Sequence, residues 1–258
     1  MEYKKDFSRE FSLDKKAAIV TGAANGIGKA ISIMYALKGA RLLLADCCEV
    51  VEKVEKEIRE AGGEASSVVG DITIKSVRES IAEKCVEKYG GIDILANVAG
   101  VALLADAESI SEDDWDRTFD TNLRASFMLS QIVGRRMIEQ KSGGKIINLA
   151  SDAAVIALDK HIAYCASKSA LVSMTRVLAV EWAEFGITIN AISPTVVLTE
   201  RGEKAWAGQK GIDKISTIPV RRFAYPDEIA ACAVYLASDA ADMITGANIM
   251  IDGGYTAQ

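Results

Sequence analysis

Short apolar segments alternate with amphipathic segments along almost the whole chain. The apolar segments are too short for helices and are rich in Val, Ile and Leu, which is typical of strands buried on both faces of a parallel sheet. The segments between them repeat apolar residues at helical spacing. This alternation predicts an α/β fold, with one doubly wound sheet, helices on both faces and right-handed crossovers. The predicted strands cover 17–20, 42–45, 67–69, 92–96, 145–149, 188–192 and 248–251, and the predicted helices 27–37, 50–61, 74–89, 112–140, 163–185 and 226–237.

Length and charge narrow the class of protein further. The chain has 258 residues, which is enough for one large α/β domain with its own core. Its net charge of −6 argues against nucleic acid or an acidic membrane as a partner. No uninterrupted apolar stretch approaches about 18 residues, so we expect no membrane span.

Histidine and cysteine limit the available chemistry. His161 is the only histidine, which excludes zinc sites that need two histidines, and we predict no metal. The five cysteines are odd in number and none are spaced C-x-x-C, which indicates neither a disulfide framework nor a structural zinc site. We therefore expect a reduced, cytoplasmic protein.

Two segments depart from the alternating pattern. Residues 1–14 are polar and aperiodic, which predicts an N-terminal extension that Phe7, Phe11 and Leu13 could attach to a domain covering 15–258. Residues 195–217 are the least patterned stretch inside that domain and predict a substrate lid. A surface loop with oligomer contacts is the alternative.

A glycine-rich turn joins the first predicted strand to the first predicted helix. Gly22, Gly26 and Gly28 differ in spacing from G-x-G-x-x-G but meet the same needs, a tight turn, close approach to a diphosphate and close helix packing. The free N–H groups and partial positive charge of the helix start favour a diphosphate there.

A carboxylate follows the second predicted strand. Asp46 can accept hydrogen bonds from both hydroxyls of an adenosine ribose and would repel a 2′-phosphate. The nearby Ala23, Ala24, Cys47 and Cys48 carry no charge that could offset this repulsion. We therefore predict NAD rather than NADP; a cap on the following helix is the alternative role for Asp46.

A tyrosine and a lysine lie four residues apart at the head of a predicted helix. Tyr164 and Lys168 share one helix face, so the cation can approach the phenol and is expected to lower its pKa. Ser151 follows a buried strand, at the edge where open α/β sheets bind ligands. Its hydroxyl could hold a substrate oxygen while Tyr164 exchanges the proton, although serines also cap turns.

Together these motifs resemble the short-chain dehydrogenase/reductase family over about residues 15–258. The match consists of T-G-x-x-x-G-x-G from Thr21, Asn97-Val98-Ala99-Gly100, Asn122, Ser151, Tyr164-x-x-x-Lys168 and the segment at Pro194. The resemblance implies a single Rossmann domain with a seven-stranded sheet and a homotetramer. It also implies four catalytic residues: Tyr164 as general acid and base, Ser151 on the substrate oxygen, Lys168 on the nicotinamide ribose and Asn122 on a relay water.

The resemblance extends to the NAD site. It assigns the adenine to Asp71 and Ile72, the ribose and backbone cradle to the Asn97 segment, and the carboxamide to Val197 and Thr199. Thr195 departs from the usual Pro-Gly, and because threonine cannot easily adopt glycine-only angles we expect a differently shaped backbone there. The expected cofactor residues are Gly22, Asn25, Gly26, Ile27, Gly28, Asp46, Asp71, Ile72, Asn97, Ala99, Gly100, Tyr164, Lys168, Pro194, Val197 and Thr199.

Residues near Ser151 and Tyr164 should select the substrate. Asp152 and His161 can offer polar partners to further hydroxyl groups, and a site built for hydroxyls rejects analogues that lack them. For His161, a structural role at a helix start is the alternative. The overall pattern and the C-terminal segment most resemble the family's NAD-dependent polyol dehydrogenases. This implies hydride transfer between NAD and a secondary alcohol or ketone, with a short polyol or sugar alcohol as the expected substrate.

Two other functions stay open. A 3-oxoacyl-acyl carrier protein reductase would share the length and motifs, but it would prefer NADPH, against which Asp46 counts. It would also need a basic patch for an acidic carrier. Arg124, Arg135 and Arg136 could form one, although solvated charges on a helix surface are the preferred interpretation of these residues. A non-catalytic dinucleotide sensor is the other, and the intact Ser–Tyr–Lys set argues against it.

Overall fold

Seven parallel strands form one sheet within residues 11–258, the part of the chain that the computed structural model describes. Their order is β3-β2-β1-β4-β5-β6-β7, and every neighbouring pair is parallel. The predicted doubly wound, seven-stranded α/β fold is confirmed. The strands are β1 (Ala17–Thr21), β2 (Arg41–Asp46), β3 (Glu64–Val69), β4 (Ile94–Asn97), β5 (Gly144–Leu149), β6 (Ile187–Pro194) and β7 (Asn248–Ile251).

Strand β3 shows where sequence pattern and pairing differ. The apolar pattern predicts a strand over 67–69, whereas β3 begins at Glu64. Ala65 and Ser66 carry little apolar surface, but they pair with Leu42 and Leu43 of β2. Backbone pairing therefore extends this edge strand beyond its apolar residues.

Helices cover both faces of the sheet, as predicted. Helices α1, α2 and α9 pack in one core cluster with β1 and β2, and α3, α5 and α6 pack in a second cluster on the other face. Burial of both sheet faces explains why the strands are almost uniformly apolar. Within the described residues the α-helices are α1 (Gly26–Leu37), α2 (Val50–Glu60), α3 (Lys75–Tyr89), α4 (Glu112–Phe119), α5 (Ser126–Gln140), α6 (Ile162–Trp182), α7 (Glu200–Ala205), α8 (Gln209–Thr217) and α9 (Pro226–Ala237).

The long helix predicted over 112–140 is interrupted. Helix α4 ends at Phe119, and a π-helical turn over Asp120–Ala125 connects it to α5. Such turns occur frequently at functional sites. This one contains Asn122, whose side chain is buried.

Structure is defined in residues 195–217 and in the described end of the N-terminal extension, residues 11–14. Residues 195–217 contain the short helices α7 and α8. In the predicted N-terminal extension Leu13 is fully buried, and the ring of Phe11 lies 6.1 Å from that of Tyr235, whereas Phe7 lies outside the described residues. None of the helices that the structure describes is long and apolar enough to cross a lipid bilayer.

The order of the strands fixes where a ligand can bind. The chain builds from β1 outward to β3 and then returns to the other side of β1 with β4. At such a reversal the loops that follow β1 and β4 leave in opposite directions and open a crevice at the carboxyl edge of the sheet.

Candidate active site

A cleft of about 360 Å³ lies at the carboxyl edge of the sheet. Ser151, Tyr164 and Lys168 all line it, so three of the four predicted catalytic residues share one cleft. Most of the remaining wall is apolar, and it includes Val101, Ala102, Leu149, Val196, Ala205 and Trp206.

Ser151 lies just beyond β5 and is held by its neighbours. Its hydroxyl donates to Asp152 Oδ1 at 3.0 Å and accepts from the Ala153 N–H at 3.2 Å. Since the proton of Ser151 is directed at Asp152, its oxygen is free to face the cleft as an acceptor.

Lys168 follows Tyr164 by one turn of α6, as the sequence spacing predicts. Its Nζ donates to the carbonyl of Leu149, the last residue of β5, at 2.6 Å and lies 5.7 Å from the centre of the Tyr164 ring. The lysine side chain is buried. The end of β5 therefore fixes the ammonium as well as Ser151.

The pKa of the Tyr164 phenol is not lowered in the protein by itself. Burial raises the pKa of Tyr164 to about 12; the hydrogen bond with Ser151 lowers it, and the Asp152 carboxylate raises it further. Burial also lowers the pKa of Lys168 to about 8. The predicted direction is wrong for Tyr164 here, because desolvation outweighs the attraction of an ammonium at this distance.

Asn122 supports the loop that follows β4. Its side chain accepts from the Val101 N–H at 2.8 Å and donates to the Val101 carbonyl at 2.9 Å. It also donates to the Ser167 hydroxyl on α6 at 3.1 Å. A Cβ on Gly100 would lie 3.1 Å from Asn122 Oδ1 and 3.5 Å from Lys168 Nζ, so a glycine lets this loop pass close to the lysine.

The glycine turn after β1 has the shape of a diphosphate cradle. Gly22 has a φ of 66°, and a Cβ there would lie 2.9 Å from the Ala99 backbone. A Cβ on Gly28 would lie 2.0 Å from the Gly22 carbonyl oxygen, so α1 packs closely on the turn. Helix α1 has no acidic residue in its first turn, and the Asn25 side chain does not cap it. Its first N–H groups remain available to an anion, and the site fits a dinucleotide.

Thr21 and Asn97 place the loop after β4 beside this turn. The Thr21 hydroxyl accepts from the N–H groups of Val98 and Ala99 at 3.0 and 3.2 Å. The Asn97 side chain donates to Ser130 and Asn148, each at 2.9 Å, and so points into the protein. Of the groups at the predicted cradle residues Asn97, Ala99 and Gly100, the Asn97 side chain is therefore directed away from the turn, and the backbone of this loop faces it.

The predicted adenosine residues follow β2 and β3. The Asp46 carboxylate accepts from the N–H groups of Ala24 at 3.0 Å and Cys48 at 2.9 Å. It does not cap α2, whose N-cap is Glu49, so the alternative role is not observed. Asp71 is exposed and Ile72 is buried beside it.

Six residues of the candidate site form a row along the carboxyl edge of the sheet. Each lies at or just after the end of one of six neighbouring strands, in the order β3, β2, β1, β4, β5 and β6. At about 4.8 Å per strand the row is roughly 24 Å long. Its members, in spatial order, are Asp71, Asp46, Gly22, Gly100, Ser151 and Thr195.

The segment after β6 forms the far wall of the cleft. It is lined by Pro194, Val197 and Thr199, which are three of the residues predicted to bind the cofactor. The Thr199 hydroxyl caps α7 by accepting from the Gly202 N–H at 3.0 Å, whereas the Val197 N–H has no acceptor within the described part of the chain. The φ of Thr195 lies outside the left-handed region, so the backbone at this position does not use the angles that only glycine adopts easily.

The comparisons with known proteins agree with this geometry. A family model described as enoyl-(acyl carrier protein) reductase matches residues 22–256. The chain is 55% identical to the NAD-dependent glycerol dehydrogenase of Listeria innocua, over 98% of both chains. The chain belongs to the short-chain dehydrogenase/reductase family.

Two further relatives lie in the same family. The D-threitol dehydrogenase of Mycolicibacterium smegmatis is 51% identical, over 96% of this chain and 95% of that one. A solved structure of 7α-hydroxysteroid dehydrogenase with NADH and 7-oxo glycochenodeoxycholic acid has a TM-score of 0.92 at 32% identity, over 97% of this chain and 98% of that one. The protein is accordingly an oxidoreductase that acts on CH–OH groups.

The two predicted polar substrate partners do not line the cleft. Asp152 is buried, and its carboxylate accepts a hydrogen bond from the Ser151 hydroxyl. The His161 ring lies 6.1 Å from the Tyr164 ring in an edge-on arrangement, and its Nδ1 contacts the Asp159 carbonyl. Asp152 contacts and His161 approaches a residue predicted to be catalytic, but neither forms part of the cleft wall.

Three supporting side chains escaped the sequence reasoning. Thr21 clamps the loop after β4, Ser167 accepts from Asn122, and Asn148 links Asn97 to Thr175. Thr21 lies inside the quoted glycine motif and was the one that the pattern could have identified. The other two act between elements distant in sequence, which no local pattern records.

Proposed function

We propose that this protein is an NAD-dependent dehydrogenase that interconverts a secondary hydroxyl of a short polyol and the corresponding ketone. The observation that carries the proposal is the meeting of Ser151, Tyr164 and Lys168 in one cleft beside the glycine cradle. The names of two relatives, glycerol dehydrogenase and threitol dehydrogenase, support a polyol as the substrate.

Three residues share the proton chemistry. During reduction the Ser151 hydroxyl turns its proton from Asp152 to the ketone oxygen, and the Tyr164 hydroxyl donates to the same oxygen and transfers its proton to it. During oxidation the Tyr164 phenolate takes the proton of the substrate hydroxyl. The Lys168 ammonium donates a hydrogen bond to the Leu149 carbonyl, which fixes its position, and it binds the cofactor ribose. Bound NAD supplies the hydride acceptor. Asp152 acts through Ser151, because its carboxylate accepts a hydrogen bond from the Ser151 hydroxyl.

The NAD contacts divide along the row of strand ends. The adenosine is bound by Asp71, Ile72 and Asp46. The diphosphate is bound by the turn that contains Gly22, Asn25, Gly26, Ile27 and Gly28. The cofactor ribose and the backbone cradle are assigned to Ala99 and Gly100. The free Val197 N–H is suited to the carboxamide oxygen, with Pro194 and Thr199 beside it. Asp46 favours NAD over NADP because its carboxylate would face a 2′-phosphate.

A 3-oxoacyl-acyl carrier protein reductase is the weaker alternative. The description of the family model names a reductase of that general kind, but two relatives that are 55% and 51% identical are named as glycerol and D-threitol dehydrogenases. Asp46 also opposes the NADPH that such a reductase would prefer.

The test is turnover followed at the reduced-nicotinamide absorbance band. Wild type is assayed with NAD and with NADP on glycerol, threitol and related polyols, and separately with acyl thioesters and NADPH. We expect polyol oxidation with NAD. A tenfold preference for NADP, or activity with acyl thioesters alone, would contradict the proposal.

Tyr164→Phe tests the assigned proton transfer. We expect turnover to fall by about 10²–10⁴-fold while NADH still binds, because the ring remains and the acid–base group is lost. Tyr235→Phe is the matched control, since Tyr235 lies on α9 and does not line the cleft. Retention of more than about a tenth of the activity in Tyr164→Phe would refute the role.

We also propose the homotetramer and the reducing cytoplasm that the family and the composition imply. Val177 and Val180 share one face of α6 and are 53% and 81% exposed, which supports a contact between copies. All five cysteines are free. Light scattering on the eluted protein should give four times the chain mass of 27.6 kDa.

A further inference from the structure

One side chain in the cleft wall has a buried polar atom without a partner. Thr195 is 8% exposed, and its hydroxyl oxygen makes no hydrogen bond with any residue that the structure describes. Buried polar groups in native proteins are nearly always hydrogen-bonded, so such an oxygen needs an explanation.

Thr195 differs in location from the other buried side chains that have a polar atom without a hydrogen-bond partner. Within residues 11–258 the unpartnered atoms belong to Arg78, Asn97, Thr188 and Thr195. Of these four residues, Thr195 alone lines the cleft that holds Tyr164 and Lys168. A ligand in this cleft can therefore reach the Thr195 side chain.

The backbone holds Thr195 in place. Its N–H donates to the Ile251 carbonyl of β7 at 3.1 Å, directly after the pair formed by Pro194 and Ile251. Threonine has few χ1 rotamers, so a fixed backbone confines the hydroxyl to a small region. The short-chain dehydrogenase/reductase pattern has glycine here, and this chain adds a hydroxyl.

Apart from the Trp206 indole, the other polar side chains of the cleft already have roles in the proposed function. Ser151 and Tyr164 hold the reacting oxygen, Lys168 the ribose, and Val197 and Thr199 the carboxamide. A polyol brings at least one further hydroxyl into a wall that is otherwise largely apolar. That hydroxyl needs a partner when it leaves water.

We infer that the Thr195 hydroxyl hydrogen-bonds a second, non-reacting hydroxyl of the polyol substrate and so selects polyols over simple secondary alcohols. The inference rests on the proposed function and names one residue for its substrate preference. Thr195 would be a specificity residue, without part in the proton transfer.

The experiment compares Thr195→Val, which removes the hydroxyl at nearly constant shape, with Thr195→Ser, which keeps it. Thr188→Val is the matched control, because it removes a hydroxyl that is equally buried and unpartnered but lies outside the cleft wall. Each variant is assayed with glycerol and with propan-2-ol, which retains the reacting hydroxyl alone. NADH affinity by fluorescence and the melting temperature without ligand are measured in parallel.

We expect kcat/KM for glycerol to fall at least about tenfold in Thr195→Val, since the substrate hydroxyl loses its partner. In the same variant, activity on propan-2-ol and NADH affinity should stay at wild-type values. Its melting temperature should stay at the wild-type value or rise. Thr195→Ser and Thr188→Val should keep glycerol activity within about threefold of wild type.

Three results would overturn the inference. The first is unchanged glycerol activity in Thr195→Val; the second is a tenfold loss of NADH affinity, which would assign the hydroxyl to the cofactor. The third is a lower melting temperature in Thr195→Val alone, which would reveal an internal partner such as a bound water. If wild type oxidises no polyol, the proposed function itself fails, and that outcome differs from all three.

Discussion

Replacing Lys168 by methionine should abolish a pH dependence of stability in the protein without cofactor. Lys168 is buried, and burial lowers its pKa from 10.5 to about 8. The folded protein therefore binds this proton more weakly than the unfolded chain does. Between these two values the unfolded chain holds more protons, so the free energy of unfolding rises as the pH rises.

The magnitude follows from the two pKa values. At pH 7.5 the lysine is mostly charged in both states, and keeping the charge buried costs about 3 kcal/mol. At pH 10 the buried lysine is neutral, and the remaining cost is about 1 kcal/mol. The wild type should accordingly gain about 2 kcal/mol between these values through Lys168, and Lys168→Met should not.

Urea unfolding at several pH values measures this gain. Cys232 and Tyr164 titrate higher in the folded protein, with pKa values of about 11 and about 12, and they lower stability as the pH rises. Because Tyr164 lies beside Lys168, the lysine is compared with methionine in the Tyr164→Phe protein as well, where Cys232 is common to both and the difference isolates the lysine. Lys53→Met, at an exposed helix position, controls for the loss of a charge. Parallel wild-type and Lys168→Met curves would refute the reasoning.

Two further changes probe the supports of the site. Gly28→Ala places a Cβ 2.0 Å from the Gly22 carbonyl oxygen, so it should lower the free energy of unfolding by at least about 2 kcal/mol and weaken NADH binding. Gly62→Ala is the control: its Cβ has no neighbour within 4 Å, so it should lower the free energy of unfolding by about 1 kcal/mol and leave NADH binding intact. Asn122→Ala strips both hydrogen bonds from the Val101 backbone and should lower the free energy of unfolding by about 2 kcal/mol or more, with reduced turnover. Urea unfolding and fluorescence titration check both, and a wild-type result for Gly28→Ala would contradict the close packing of α1.

The fold follows from the sequence because the alternating pattern is repeated along the whole chain. Strand β7 has the predicted bounds, and α9 begins at the predicted proline. The helix over 112–140 is different. Its side-chain periodicity continues through the π-helical turn, so the interruption that carries Asn122 leaves no mark in the pattern.

The candidate site was predictable in composition but less so in electrostatics. Ser151, Tyr164 and Lys168 meet as their positions at a strand end and on a helix face imply. The pKa of Tyr164 was not predictable, because spacing reports the proximity of Lys168 and says nothing of the desolvation that opposes it. The same limit applies to Asp152 and His161, whose actual partners are neighbouring residues.

The two walls of the cleft come from different segments of the chain, and this matters for changing which substrate the enzyme accepts. The residues proposed for the proton transfer lie just after β5 and on α6, and the hydrogen bond from Lys168 to the Leu149 carbonyl joins these two elements. The opposite wall, from Thr195 to Trp206, belongs to a separate stretch after β6. Grafting that stretch from another family member could retune which alcohols are accepted while leaving the acid–base apparatus untouched, so chemistry and choice of substrate can diverge independently.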